Sequence, residues 1–291
     1  GHGPARLRQP VREPELTSLL NKFSAVELTD TGRVRDQNED AIGNNREAGL
    51  YVLADGMGVY NAGEVASSIA VKAVKDLVSE AVDREDRAAV EPDTGLMRQT
   101  IVLRDAISRA NKVIHQTAQS QASCEGMGTT IVACLFYDDR LSIAHVGDSR
   151  LYRVRDGRLE QITMDHSLLQ ELVDRGFYSR EEAEGATNRN YVTRALGVEP
   201  TVQVDLAEID VQPGDLFMRC SDGLTDMVDD EEIHLTISTF NANLETIGQQ
   251  LIQLSNDHGG KDNISVILAQ ALEKFPAREG VVSKLKQVLG F

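Results

Sequence analysis

Cysteine, long apolar runs and positive charge are all scarce in this sequence. The chain of 291 residues has three cysteines, Cys124, Cys134 and Cys220, with no Cys-x-x-Cys spacing. Such a sparse, odd-numbered set argues against a disulfide framework and favours a reducing compartment, so we expect a cytoplasmic protein. No apolar run approaches the roughly 18 residues that a membrane span needs, and no membrane partner is expected.

The shortage of basic residues restricts the possible partners. Lys and Arg total 30 against 46 Asp and Glu, which gives a formal net charge of −16. Because nucleic acids are polyanions, a chain this acidic is a poor nucleic-acid binder. Most of the excess carboxylates belong to a solvated surface, although a cation site can lie among them. Hydrophobic residues make up 41% of the chain, which is enough for a sizeable core.

The chain length fits one large domain or two small ones, and the lack of an internal repeat or interior linker favours one. Residues 1–22 contain three prolines and are predicted to be an N-terminal arm. Residues 23–271 form the predicted domain, with a polar, aperiodic flap at about residues 177–190. Residues 272–291 contain a predicted C-terminal amphipathic helix, for which packing on the domain is favoured over docking to a partner or an acidic membrane.

Hairpins and paired helices indicate an antiparallel α+β fold. Strands predicted at 151–154 and 159–163 flank Asp156-Gly157, a strong hairpin signal. Two consecutive long helices, predicted over 62–82 and 96–119, are expected to lie as a pair on a sheet. The first of them has an apolar residue at every fourth position, which predicts its buried face: Val65, Ile69, Ala73, Leu77 and Ala81.

The most informative stretch is the apolar run 50–54, which ends in Asp55-Gly56-Met57-Gly58. A strand that ends in an Asp-Gly turn is the ordinary interpretation. Asp40, however, opens the preceding strand, and a hairpin of the two strands would bring both carboxylates to the same end. A carboxylate beside exposed backbone carbonyls is suited to a hard cation.

Five aspartates share this position at strand ends or in the loops that touch them: Asp40, Asp55, Asp148, Asp222 and Asp262. Each one alone is explained by the preference of aspartate for turns. Clustered carboxylates repel one another unless a cation lies between them, and all-oxygen ligation favours magnesium, manganese or calcium over zinc. The set of five therefore favours a metal site.

At these positions the sequence resembles the metal-dependent serine/threonine protein phosphatases of type 2C, in their bacterial form. The matching segments follow the family's order and lie at 35–40, 54–58, 61–64, 126–130, 145–150, 165–167, 193–197, 221–224 and 260–263. The resemblance implies a four-layer α-β-β-α sandwich, in which two antiparallel sheets are each flanked by a helix pair. It also implies a centre of two Mn²⁺ or Mg²⁺ ions at one edge of the sandwich.

The resemblance assigns roles to individual residues in the core of this centre. Asp55 is expected to bridge both ions and to be essential for catalysis. Asp222 and Asp262 would complete the first ion's ligands. The carbonyl of Gly56 and the side chain of Glu39, directly or through water, would serve the second.

Further residues are assigned around this core. Asp40 is expected to act in catalysis by orienting the waters on the metals. Asp148, with Asp226, corresponds to the acidic pair that holds a third, weaker ion in bacterial relatives. Arg35 corresponds to the catalytic arginine that binds the substrate phosphate, a role suited to the guanidinium fork.

The implied activity is hydrolysis of phosphoserine and phosphothreonine in proteins by a metal-activated water. The Cys-x5-Arg spacing from Cys134 to Arg140 falls in a predicted apolar strand and its turn and not in a nucleophile loop, so no phosphoenzyme is expected. The expected partners are phosphorylated proteins, including a bacterial Ser/Thr kinase and its targets, and the expected state is a monomer. Two alternatives were considered: a phosphoprotein-binding module on a dead enzyme, which would lack metal carboxylates, and a two-metal nuclease, which the acidic charge disfavours.

The chain departs from its relatives beside the central aspartate. Bacterial members usually have a second glycine where this chain has Val59, followed by His or Tyr, here Tyr60. If that glycine needs a positive φ, Val59 would either strain the loop by roughly 1–3 kcal/mol or force another loop conformation. Metal-bound water is the expected proton donor to the leaving group, with Tyr60 as the alternative. His166, within another matching segment, is expected to cap a helix.

Overall fold

The computed structural model describes residues 18–59, 62–82, 89–179, 182, 191–240 and 243–276, and it contains two antiparallel sheets. The first sheet has the order β1 (Phe23–Asp30), β11 (Ile264–Ala271), β10 (Leu216–Cys220), β7 (Arg150–Arg155) and β8 (Arg158–Gln161). The second has the order β2 (Asp40–Asn45), β3 (Leu50–Met57), β5 (Ile131–Tyr137), β6 (Arg140–Val146) and β9 (Asp205–Asp210), and β4 (Gly128–Thr129) pairs with β3.

Helices cover the outer face of each sheet. Against the second sheet lie α1 (Ala62–Val82) and α2 (Arg98–Ser120), which also pack on each other. Against the first sheet lie α4 (Asp222–Thr225), α5 (Asp230–Thr239) and α6 (Leu244–Asp257). A short helix, α3 (Leu168–Asp174), follows β8. None of the helices in the described ranges combines the length and apolarity that a bilayer crossing requires.

Strand alternation divides the apolar residues among three cores. In β3, Leu50 and Val52 pack in the core under α1 and α2, whereas Tyr51 and Leu53 pack between the sheets. A third core lies between the first sheet and its helices. Because side chains alternate with period two, a slip of one residue would exchange the two faces of the strand. Three cores between four layers confirm the predicted α-β-β-α sandwich.

The predicted buried face of α1 is wrong by one position. The helix buries Ala66, Ala70, Val74 and Val78, whereas Val65 is 40% exposed. Ile69, Ala73 and Leu77 are only partly buried at the margin of the core. Both stripes are apolar, and the stripe with the smaller side chains allows the helix axis to approach the sheet more closely. The ends of α1 agree with the prediction.

The ends of the described domain extend slightly past the predicted boundaries at residues 23 and 271. Leu19 and Phe275 are both buried, and both belong to the core between the sheets. Phe23 packs against the Phe275 ring, with 5.0 Å between ring centroids. Residues 1–17 of the predicted arm, most of the predicted flap and residues 277–291 of the predicted C-terminal helix lie outside the described residues.

Antiparallel pairing brings the aspartates of the matching segments to one edge. Asp40, the first residue of β2, lies directly opposite Asp55 near the end of β3. In the other sheet, the end of β10 at Cys220 lies opposite Val266, close to the start of β11. Asp222 therefore follows one strand at the edge where Asp262 precedes its neighbour.

Candidate active site

The backbone of Asp55 is fixed by the two threonines at the β4–β5 junction. The Asp55 N–H donates to Thr130 Oγ1 at 3.0 Å, and the Asp55 carbonyl accepts from the Thr130 N–H at 2.8 Å and from the Thr129 hydroxyl at 2.9 Å. With its main chain satisfied on both sides, Asp55 presents its carboxylate to the cavity at the sheet edge.

Close packing of two glycines joins this strand end to the start of α1. The Gly56 N–H donates to the Glu39 carbonyl at 3.2 Å, and Glu39 Oε1 accepts from the Gly63 N–H at 3.1 Å. A Cβ on Gly56 would collide with the Gly63 carbonyl oxygen and would lie 2.6 Å from the Glu39 carbonyl oxygen. Glycine is therefore required at Gly56, and the Glu39 carboxylate lies at the positive end of the helix dipole.

Asp262 connects the predicted metal-ligand set to the predicted phosphate-binding arginine. Its Oδ1 accepts from the Asn263 N–H at 2.8 Å, and its Oδ2 accepts from Arg35 at 2.6 Å. The Arg35 side chain is 50% exposed. The Asn263 side chain accepts from the Glu39 N–H at 2.8 Å, so the loop before β11 is tied to the loop that carries Arg35 and Glu39.

The structure brings most of the predicted site residues around one cavity of about 320 Å³. Those lining it are Arg35, Glu39, Asp55, Gly56, Asp148, Asp222 and Asp262. The two other predicted residues, Asp40 and Asp226, do not line it. Asp40 lies beside Asp55 in the hairpin, and Asp226 donates its N–H to the Asp222 carbonyl at 2.8 Å.

Asp40 is held by two serines from the other sheet. Its Oδ2 accepts from Ser221 Oγ at 2.8 Å and from Ser265 Oγ at 2.6 Å. Ser265 also shares a hydrogen bond of 2.8 Å with Thr29. Asp40 Oδ1, in contrast, is buried and has no protein partner. One side of the carboxylate is therefore anchored and the other is available to a ligand.

Burial and mutual repulsion make ionisation of these carboxyl groups costly. Burial is the largest cause for Asp40 and raises its pKa to about 6, although hydrogen bonds from the two serines act in the opposite direction. Burial and then the charges of Asp165 and Asp226 raise the pKa of Asp148 to about 7. Burial and neighbouring carboxylates also raise the pKa of Asp55 and Asp222 well above the ordinary value.

These features fit a group of divalent cations. One Oδ1 oxygen on each of three aspartates, Asp40, Asp148 and Asp222, is buried without a hydrogen-bond partner. Leaving a buried charged group unpaired is expensive, and either a proton or a cation removes that cost. Because the donors are carboxylate and carbonyl oxygens, the set suits Mg²⁺, Mn²⁺ or Ca²⁺.

Two expectations beside the site are wrong. The non-glycine residues with positive φ in the described part of the chain are Asp138, Asp139 and Asp156, so Val59 is not strained in the way proposed. Tyr60 lies outside the described residues. The cap of α3 is Ser167, whose side chain accepts from the Gln170 N–H at 3.2 Å, and His166 makes other contacts.

The sequence prediction did not identify the residues that hold the carboxylates in place. Ser221, Ser265, Thr130 and Asn263 all make the contacts described above. Three of them belong to matching segments but received no role. Ser265 had one usable signal, because it is the polar residue within the otherwise apolar run 264–269.

Comparison with known proteins agrees with this geometry. Residues 32–269 match the family described as Protein phosphatase 2C. The chain is 38% identical over 245 residues to the serine/threonine phosphatase stp of Listeria monocytogenes, covering 83% of this chain and 93% of that protein. It is 37% identical over 259 residues to the serine/threonine protein phosphatase PstP of Mycobacterium tuberculosis, covering 88% of this chain and 46% of that one.

Solved structures share the fold. The crystal structure of M. tuberculosis PstP/Ppp has a TM-score of 0.76 at 35% identity, covering 86% of this chain and 99% of that one. The catalytic domain of PstP in complex with 2 manganese ions has a TM-score of 0.73 at 34% identity, with the same coverage. The chain belongs to the protein phosphatase 2C family. It is a serine/threonine protein phosphatase, and the predicted resemblance to bacterial members is confirmed.

Proposed function

We propose that this phosphatase removes phosphate from phosphoserine and phosphothreonine in proteins with an activated water and without a phosphoenzyme. The observation that carries this proposal is the group of buried carboxylates in and beside one cavity, three of whose oxygens lack a protein partner. The manganese complex of PstP, a relative at 34% identity, supports Mn²⁺ or Mg²⁺ as the cofactor.

The proposed core site holds two ions. Asp55 would bridge them, Asp222 and Asp262 would complete the first, and the Gly56 carbonyl with Glu39 would serve the second. Cations bound there lower the pKa of a water and supply hydroxide near neutral pH. The pairing of Asp40 with Asp55 in the hairpin register supports this assignment, because it places a second aspartate next to the proposed bridging one.

Asp148 and Asp226 are proposed to hold a third, weaker ion. The charges of Asp148 and Asp226 both raise the pKa of Asp222, which indicates that the three carboxylates are close together. Asp40, anchored by Ser221 and Ser265, is proposed to orient water through its unpartnered oxygen. A fixed acceptor of this kind favours one orientation of the attacking water over others.

Arg35 is proposed to bind the substrate phosphate. It lines the cavity and is half exposed, so a phosphate that enters from solvent can reach it. A guanidinium carries five N–H donors, and binding Asp262 leaves donors for two phosphate oxygens. No histidine is among the described residues that line the cavity, so the leaving serine or threonine oxygen would take its proton from water.

The proposed substrates are phosphorylated proteins, including a bacterial Ser/Thr kinase and its targets. We also propose that the protein is a monomer, and that it is cytoplasmic, since all three cysteines are free and buried. Residues 23–271 would be the catalytic domain, and the flap at about 177–190 would contribute to substrate choice. Residues 1–22 would be the N-terminal arm, and residues 272–291 would contain the C-terminal helix.

Hydrolysis of an aryl phosphate and of a phosphothreonine peptide tests the proposal. With Mn²⁺ the wild type should hydrolyse both, and chelator should abolish both rates. Asp55→Asn should remain folded and lose at least about 1,000-fold in kcat, because the bridging ligand loses its charge. Asp210→Asn is the matched control. Asp210 is an exposed aspartate at the end of β9, and it pairs with Arg140 at the end of β6 that is farther from Asp148.

Several outcomes would contradict the proposal. Full activity of Asp55→Asn would remove the two-ion assignment. Trapping of a covalent phosphoenzyme would remove the direct attack by water. Binding of manganese and phosphopeptide without any hydrolysis would favour a phosphoprotein-binding module.

A further inference from the structure

His166 holds the turn that carries Asp148 from both sides. Its Nδ1 accepts from the Gly147 N–H at 3.0 Å, and its own main-chain N–H donates to the Gly147 carbonyl at 2.9 Å. Gly147 has a φ of 105°, and a Cβ there would lie 2.6 Å from the Thr130 Cβ. The turn therefore has a conformation closed to other residues, and His166 binds both peptide groups of the glycine that adopts it.

The other ring nitrogen of His166 is also engaged. Because Nδ1 accepts a hydrogen bond, it carries no proton, and the neutral ring has its proton on Nε2. Nε2 lies 3.1 Å from Asp205 Oδ2 and 3.0 Å from Arg194 Nη1, and Arg194 Nη1 donates to Asp205 Oδ1 at 2.5 Å. An arginine N–H only donates, so with the proton on Nε2 the arginine hydrogen bond goes to Asp205 Oδ1 and the Nε2 proton is directed at Asp205 Oδ2. Asp205 thus fixes the tautomer that leaves Nδ1 free to accept from Gly147.

The main chain of His166 is itself immobilised. Its carbonyl accepts from the Thr193 N–H at 2.8 Å, and the adjacent Ser167 forms a β-bridge with Val192. Val192 lines the same cavity as Asp148. The imidazole is only 7% exposed, so it cannot turn away into solvent without breaking these contacts.

We propose that His166 is a positioning residue that sets the affinity of the third cation site by holding the Gly147–Asp148 turn. This rests on the proposed function, in which Asp148 is a ligand of that ion. Partners that orient a metal ligand typically contribute 10- to 100-fold to metal affinity. The Nδ1 acceptor position, rather than the bulk of the ring, carries the effect.

A rival interpretation makes the same residues a separate metal site. His145, His166 and Asp205 offer ligand atoms within 4.8 Å of one another, and the two imidazoles are stacked with ring centroids 4.8 Å apart. The Arg194 guanidinium, however, already binds Asp205, and a fixed positive charge there opposes a cation. His145 uses its Nε2 on the Met164 carbonyl at 2.9 Å, which further favours hydrogen bonding over ligation.

Manganese binding to the full chain, measured by calorimetry, tests the proposal with four variants. His166→Ala should weaken the weakest Mn²⁺ site by roughly 10- to 100-fold while the two tighter sites stay within about threefold. His166→Asn should recover most of this loss, because its Oδ1 can replace Nδ1 as the acceptor. His166→Gln places its amide near the Nε2 position and should not recover it. His145→Ala is the matched control and should bind like wild type.

The outcomes separate the possible explanations. Wild-type affinity of the weakest site in His166→Ala, or equal affinities in the Asn and Gln variants, would overturn the proposal. Loss of an ion in both His145→Ala and His166→Ala would show that the cluster itself binds metal and would also overturn it. If His166→Ala does not fold, the Asn and Gln pair decides alone. Absence of manganese binding and hydrolysis in wild type would refute the proposed function instead.

Discussion

The raised carboxyl pKa values predict how the metal-free protein responds to pH. Asp148 has a pKa of about 7 in the folded chain and about 4 when unfolded. A group with a raised folded pKa stabilises the fold fully below its unfolded pKa, and this contribution is lost as pH rises through the folded pKa. Stability from Asp148 should therefore start to fall near pH 4 and be gone by about pH 8.

The magnitude follows from linkage. A shift of about three pKa units corresponds to about 4 kcal/mol, of which roughly 2.5 kcal/mol is lost between pH 5 and pH 8. For a domain of this size, that is a change in Tm of about 5–10 °C. His145 and His166 have the opposite effect on stability. Burial lowers their pKa in the folded chain, so as pH falls through about 6.5 protonation favours the unfolded chain.

Comparison with Asp148→Asn isolates the effect, because the histidine contributions cancel in the difference. The assay is thermal unfolding in chelator from pH 5 to pH 8. The free energy of unfolding of the variant relative to wild type should rise by about 2.5 kcal/mol from pH 5 to pH 8, since the variant carries no charge to bury. Saturating Mn²⁺ should stabilise the wild type more at pH 8 than at pH 5, because cations compete with protons. A difference between variant and wild type that does not change with pH would refute the reasoning.

Three further substitutions test the cavity. Arg35→Lys should lower kcat/KM for an aryl phosphate by roughly 10- to 100-fold, since the bidentate fork is lost, and an unchanged value would remove Arg35 from phosphate binding. Gly56→Ala should lower the free energy of unfolding by roughly 1–3 kcal/mol and weaken Mn²⁺ binding, because the new Cβ collides with Gly63. Thermal unfolding and calorimetry check this, and wild-type values in both would contradict the packing described. Val59→Gly should leave Mn²⁺ affinity unchanged, because φ at Val59 is not positive; tighter binding in a titration would restore the strain hypothesis.

The position of the candidate metal ligands at strand ends was predictable because it depends on local pattern. An apolar run that ends in Asp-Gly predicts a strand followed by a turn, and a short hairpin brings Asp40 opposite Asp55 whatever the rest of the chain does. The motifs near Asp148, Asp222 and Asp262 are equally local. Their order along the chain is a property of the sequence, and so is the family that they indicate.

The choice between two apolar faces of α1 was not predictable in the same way. Val65 and Ala66 lie on adjacent stripes, each apolar, and periodicity alone does not rank them. The sheet and α2 decide, because the small side chains of Ala66 and Ala70 permit a closer approach than Val65 does. A helix has a preferred face only in relation to the surface on which it packs.

The residues that hold the site in place were decided only by the tertiary structure. Ser221 and Ser265 are far from Asp40 in the chain, yet both bind its Oδ2 because the two sheets meet at this edge. His166 binds Gly147 for the same reason, through a loop closed by long-range pairing. A serine or histidine has no pattern of its own that predicts such a partner, since a hydrogen bond depends on the distance and direction that folding alone sets.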